Sequence, residues 1–149
     1  GRNENASALE DGGTRMKYFL DTNIISYLLQ KNVSVQLRLK ELIDREDTEL
    51  YISVVTYYEL KRGLIASNST TKLKALQIIL HSYFEVVLMD FDMYERSAQI
   101  YADLKKDGNI IEDDDIFIGA TALENDAVLV TNNERHLGRI NGLKIEVWN

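Results

Sequence analysis

The sequence predicts an α/β fold, a mainly parallel sheet covered by helices on both faces. Two observations predict it. From Met16 onward, short strand-like runs alternate with amphipathic helix-like runs. In addition, four apolar runs each end at an acidic or amide residue. Tyr18-Phe19-Leu20 runs into Asp21. Leu50 to Val55 runs into Thr56 and, a turn later, Glu59. Ile110-Ile111 leads into Asp113, Asp114 and Asp115. Ala127 to Val130 runs into Thr131, Asn132 and Asn133. If these runs are neighbouring parallel strands, or the helix starts that follow them, their polar ends gather on the carboxyl edge of the sheet. Open α/β sheets place their sites there.

The elements follow in order. Residues 16–20 read as a first strand and 23–30 as a short helix. In 34–45, Val35, Leu37, Leu39, Leu42 and Ile43 fall at mostly helical spacings. Residues 50–55 read as a second strand, and 57–66 as a helix ending near Gly63 or Asn68. In 71–83, Leu73, Leu76, Ile79 and Leu80 share a helical face, and Phe84 to Leu88 reads as a third strand. Residues 91–106 form an amphipathic helix through Tyr94, Ala98, Tyr101 and Leu104, which Gly108 ends. An apolar helix over 115–125, a fourth strand over 127–131 and a fifth from Lys144 to Trp148 complete the pattern. The chain has no Pro, so its turns rest on Gly, Asn and Asp.

Composition narrows the chemistry. The 149 residues suffice for one domain with its own core. No apolar run approaches the roughly 20 residues of a membrane helix. There is no Cys, which excludes disulfides, thiolate metal sites and a cysteine nucleophile. His81 and His136 are far apart in sequence and suggest no ligand pair. A catalytic metal would therefore be held by oxygen, which favours Mg²⁺ or Mn²⁺ over zinc. The net charge of −7 argues against a module that coats nucleic acid by bulk electrostatics. It leaves room for a nuclease that grips phosphate locally, and it suits a basic partner. Residues 1–15 carry small polar residues, a Gly-Gly pair and no apolar periodicity. They read as an added leader or a disordered tail before a domain spanning 16–149, and they lack the pattern of a secretory signal.

Each acidic position has a plainer reading. Asp21 opens a helix and could be its N-cap. Thr56 and Glu59 match a capping box, which would turn Glu59 back onto the backbone, away from any ligand. Asp113, Asp114 and Asp115 suit the positive end of a helix, although only one can cap it and the three repel one another. Asn132 and Asn133 read as turn formers, and an amide oxygen can also ligate Mg²⁺. Capping accounts for each residue singly, but it does not require all of them to lie on one sheet edge. Carboxylates forced together there would share a proton or hold a cation.

With these residues in view, the sequence resembles the PIN-domain ribonucleases. The resemblance rests on Tyr18 to Asn23, Ser53 to Leu60, Gly108 to Ala120 and Leu129 to Asn133, four motifs in the family's order. The short length and the Ile140-Asn141-Gly142-Leu143…Trp148 ending resemble the VapC-type toxins of toxin–antitoxin pairs. The likeness covers Met16 to Trp148. It implies a Rossmann-like five-stranded sheet of order 3-2-1-4-5. It also implies Mg²⁺ or Mn²⁺ dependence, cleavage of single-strand-type RNA, a cytoplasmic homodimer, and an antitoxin that inserts a basic segment into the acidic site. Carried onto this chain, Asp21, Glu59 and Asp115 match the family's three acids. Asp113 falls where many relatives have a further acid, and Asn133 matches the fourth position. Thr131 and Asn23 would give polar support. Leu137 stands where relatives often have Phe, and Asp114 is an extra charge.

The mechanism this implies is metal-assisted hydrolysis of an RNA phosphodiester. Asp21 and Asp115 would hold the metal, Glu59 and Asp113 would complete the shell or help a second ion, and Asn133 would position water or phosphate. No side chain is an obvious general base. A PIN-fold nuclease that processes RNA is the nearest alternative. A phospho-acceptor signalling domain also gathers acids on such an edge, but Asp90 would be its only candidate acceptor. A non-catalytic binding module is disfavoured by the intact acidic set.

Overall fold

A computed structural model describes residues 15–149. The leader assigned to 1–15 lies, apart from Arg15, outside the described residues. Arg15 Nη1 donates to the Glu46 and Thr48 carbonyls at 2.7 and 3.3 Å.

Five strands form one sheet, β1 (Met16–Leu20), β2 (Thr48–Ser53), β3 (Glu85–Val87), β4 (Val128–Thr131) and β5 (Lys144–Val147). They are all parallel, in the order β3-β2-β1-β4-β5. Seven helices accompany them among the described residues: α1 (Thr22–Leu29), α2 (Val33–Asp44), α3 (Val54–Ala66), α4 (Thr70–Tyr83), α5 (Phe91–Lys106), α6 (Asp113–Glu124) and α7 (Glu134–Leu137). The expected fold class and strand order are both present.

Alternation along the strands builds two cores, because successive side chains of a strand point to opposite faces. Tyr18, Leu20, Ile52 and Val130 join Ile24, Leu28, Leu39, Leu60 and Leu76 under α1–α4. Phe19 and Leu129 turn the other way, onto Ile100, Leu104, Ile116 and Ile118 of α5 and α6. Both faces are covered, as a parallel sheet requires. Asn68 adopts φ 54° just past α3, and Gly108 adopts φ 71° just past α5. Both take the left-handed conformation that ends a helix, so Asn68 is the stop after α3 and Gly63 lies inside it.

One boundary matters for function. The second strand ends at Ser53, and α3 begins at Val54. Ser53 is the N-cap, and its hydroxyl accepts from the Val55 amide at 3.0 Å. Thr56 therefore sits within the first turn, and the capping box that Thr56 and Glu59 match in sequence, the plainer reading of Glu59, does not form. Val54 and Val55 look strand-like by propensity, but the Ser53 cap and the packing of α3 override that weak preference. The consequence is that Glu59 is free of the backbone.

Candidate active site

The site lies where the strand order reverses. β1 pairs with β2 on one side and with β4 on the other, so a crevice opens beyond their carboxyl ends. Asp21 follows Leu20 directly, and its amide donates to the Val130 carbonyl at 2.8 Å. That bond sets Asp21 beside Thr131. The Thr131 hydroxyl donates to Asp21 Oδ2 at 2.7 Å, Asn23 Nδ2 donates to the same oxygen at 3.3 Å, and the Thr22 amide donates to Oδ1 at 2.8 Å. Asp21 thus caps α1 as well as anchoring the site. It is only 3% exposed. Burial raises its pKa above the ordinary value, and the bonds from Thr131, Thr22 and Asn23 oppose the rise.

Glu59 comes from α3. Its Oε1 accepts the Thr22 hydroxyl at 2.6 Å, and Thr22 Oγ1 lies 3.2 Å from the Thr56 hydroxyl. A hydroxyl has one proton to give. The shorter contact takes it, which leaves Thr56 to donate to Thr22. Burial is the main cause that pushes the Glu59 carboxyl up to about 7. The Thr22 bond opposes it, and the charges of Asp114 and Asp21 reinforce it.

Asp115 comes from the first turn of α6, where the amide dipoles favour anions. Burial raises its pKa, as do the charges of Asp21, Asp114 and Glu112, while His136 lowers it. His136 Nδ1 is 3.7 Å from Asp115 Oδ2 and 3.3 Å from Asn133 Nδ2. Asn133 is the N-cap of α7, but its side chain makes no cap bond and meets His136 instead. Its amide donates to the Thr131 hydroxyl at 2.9 Å, which ties the β4 end to the site. Glu112, not one of the three aspartates, occupies the N-cap position of α6, and it makes no side-chain cap bond.

The structure brings Asp21, Glu59 and Asp115 into electrostatic contact, supported by Asn23, Thr131 and Asn133. Asp113 is exposed and lines a cavity of about 470 Å³ with Asp114, Tyr101, Ile110 and His136. It is Asp114 whose hydrogen bond and charge help to raise the Glu59 pKa. Sequence reasoning gave no role in the site to Thr22, Asp114, Arg62 or His136. Arg62 Nη2 is 4.0 Å from Glu59 Oε2 and 4.0 Å from Asp114 Oδ2. Thr22 lies within the Tyr18–Asn23 segment, and only the pairing of α1 with α3 gives it a role. Asp90, the acceptor a signalling domain would need, spends its carboxylate on the Met93 amide as the cap of α5.

Among the described residues, no three His, Asp or Glu side chains already converge as a ready metal-binding group. Protein donors engage two of the acids, as described above. The donor set nevertheless suits a hard divalent cation: it is all oxygen, and Asp21, Glu59 and Asp115 each sit in a field that disfavours their charge. A cation would relieve that cost.

A family-wide sequence model of the PIN domain matches residues 18–143. The chain belongs to the PIN-domain family. This PIN domain is 32% identical over 131 residues to Ribonuclease VapC1 of Methanocaldococcus jannaschii, covering 87% of this chain and 86% of that one. It is 30% identical over 135 residues to the tRNA(fMet)-specific endonuclease VapC of Shigella flexneri, covering 89% and 98%. Among solved structures, VapBC2 from Rickettsia felis bound to a DNA fragment from its promoter superposes with a TM-score of 0.82 at 29% identity, covering 90% of this chain and all of that one. Enzymes of this family are in general dependent on divalent metal.

Proposed function

We propose that this PIN domain is a Mg²⁺- or Mn²⁺-dependent endoribonuclease and the toxin of a type II toxin–antitoxin pair. The observation that carries the reading is the cluster of Asp21, Glu59 and Asp115 at the strand-order reversal, each with its pKa raised by burial, and Glu59 and Asp115 raised further by neighbouring acids. Likeness over nearly the whole length to ribonucleases and to VapBC complexes supports it.

Asp21 and Asp115 would hold the metal, with Glu59 completing its shell and Asp113 or Asp114 at the rim. When bound, the divalent ion supplies charge neutralisation at the phosphoryl oxygens and acidifies water. The protein's own part is positional. Thr131, Asn23 and the Thr22 amide fix the Asp21 carboxylate in one rotamer. Thr22 aims Glu59. Asn133, held at its amide by Thr131, presents its side chain to a water or to the scissile phosphate beside His136.

The partner follows from charge. An antitoxin with a basic segment would enter the acidic crevice of this chain of net charge −7 and block it. A homodimer completes the reading.

Purified protein is expected to cleave single-stranded RNA in Mg²⁺ or Mn²⁺ and to stop in EDTA. Undiminished cleavage in EDTA, or no cleavage of any RNA with metal present, would overturn it.

A further inference from the structure

The outer face of α3 carries a feature that the acidic centre does not use. Tyr58, Arg62 and Ile65 fall at helical spacing on one side, and Tyr58 and Ile65 are 58% and 54% exposed. The Arg62 guanidinium lies over the Tyr58 ring, 5.0 Å from its centroid. Its other side meets Glu59 and Asp114 at 4.0 Å, and the side chain is 54% exposed. Those separations are too long for hydrogen bonds. The guanidinium fork therefore keeps donors to spare at the lip of the acidic centre. Two other cation–ring pairs occur among the described residues, Lys61 with Tyr57 and Lys105 with Tyr101, both longer at 5.8 and 5.9 Å. Only the Arg62 pair has its cation within 4.0 Å of carboxylates of the site.

A purely structural role accounts poorly for this arrangement. A half-exposed ion pair at 4.0 Å contributes little to folding, and an exposed tyrosine ring contributes little by burial. An aromatic face held rigid by a guanidinium suits an unpaired base, and a planar fork with free donors suits a phosphate. In a chain of net charge −7, a phosphate backbone needs such a local handle to approach the carboxylates at all.

We propose that Tyr58 and Arg62 form the platform that seats the RNA strand beside the acidic centre. Tyr58 stacks an unpaired base next to the cleavage point, and Arg62 bonds a phosphate neighbouring the scissile one. The platform thus selects single-stranded RNA, since a base inside a duplex offers no free face. This rests on the ribonuclease reading above.

The test uses the Asp115→Asn protein in Mg²⁺, with a short fluorescein-labelled single-stranded RNA of mixed sequence as probe. Tyr58→Leu is expected to weaken binding about 5- to 100-fold, the range of one lost base stack, and Tyr58→Trp to restore it. Arg62→Ala is expected to weaken binding and to reduce the slope of log affinity against log salt by about 0.7, the value of one single-strand phosphate contact. Arg62→Lys should keep the slope and recover only part of the affinity. In the cleavage-competent protein, both losses should fall mainly on KM rather than kcat. Melting curves matching the parent would confirm that these exposed substitutions leave the fold intact. RNA bound by the Asp115→Asn protein with affinity and salt slope unchanged in both Tyr58→Leu and Arg62→Ala overturns the platform alone, and would leave this face to a protein partner. No RNA binding by the Asp115→Asn protein, together with no cleavage by the wild type, overturns the ribonuclease reading beneath it.

Discussion

Asp21, buried, and Asp115, half-buried, belong to one crevice, yet the protein treats them differently. Asp21 sits at the β1–β4 junction with three donors on its two oxygens. Asp115 sits on the first turn of α6, where no hydrogen bond from the described residues reaches its carboxylate and the His136 ring lies 3.7 Å away. Burial raises the pKa of both, but only at Asp21 do hydrogen bonds oppose the rise. Asp21 is therefore the fixed point of the site, built into the fold. Asp115 and Glu59 are the part whose charge the fold tolerates at a cost, and that part is the one a cation would complete.

The sharpest way to break this contrast is to remove each acid. Asp21→Ala should abolish cleavage and also destabilise the protein by about 1–3 kcal/mol, because the Thr131 hydroxyl and the Thr22 amide lose a buried acceptor. Asp115→Asn should lower cleavage at least about 100-fold, through loss of several kcal/mol of metal-borne stabilisation. Its metal-free form should melt at or above the wild-type temperature, because a disfavoured charge has gone. Chemical denaturation and a cleavage assay on the same preparations check both. A destabilised Asp115→Asn with cleavage retained would reduce Asp115 to a helix-start charge.

A smaller effect is expected one bond further out. Thr131→Val keeps the shape and removes the donor to Asp21. Cleavage should fall about 10- to 100-fold, as when the groups that orient a ligand are lost, with about 1–3 kcal/mol of stability. Normal cleavage by Thr131→Val would show that Asp21 needs no orienting partner.

The smallest effect concerns pH. The Glu59 carboxyl is raised in the folded protein from 4.5 to about 7. Between those values the folded state binds more protons than the unfolded one, so stability falls as pH rises through the window. Metal-free protein should therefore be more stable near pH 5 than near pH 8 by this contribution, and Glu59→Gln should flatten that slope while melting close to wild type at low pH. Urea titrations at several pH values without metal read this directly. An unchanged slope in Glu59→Gln would assign the dependence to other acids.

The sequence was legible where pattern and packing agree. Alternating apolar runs located all five strands, and Asp21, Asp115 and Thr131 were visible as the polar ends of such runs. The reading failed at the start of α3, where Val54 and Val55 look strand-like and Thr56 with Glu59 imitates a cap. The Ser53 hydroxyl decided that boundary, and a single hydroxyl leaves almost no periodic signal. α7, only four residues long, gave no period to detect. His136 and Thr22 were given no role because their roles are tertiary. His136 meets Asp115 only once α7 packs beside α6, and Thr22 meets Glu59 only across the α1–α3 contact. Distance along the chain made His136 look irrelevant, and the fold removes that distance.

The central claim is that the crevice formed by Asp21, Glu59 and Asp115 holds a divalent cation. Thermal melting with and without Mg²⁺, run side by side on wild type and Asp115→Asn, tests it most directly. A ligand that binds only the folded state stabilises it by RT ln(1 + [L]/Kd). The account predicts that wild type gains melting temperature as Mg²⁺ rises, while Asp115→Asn starts at least as stable and gains little. Equal gains in the two proteins, or no gain in wild type at millimolar Mg²⁺, would contradict it.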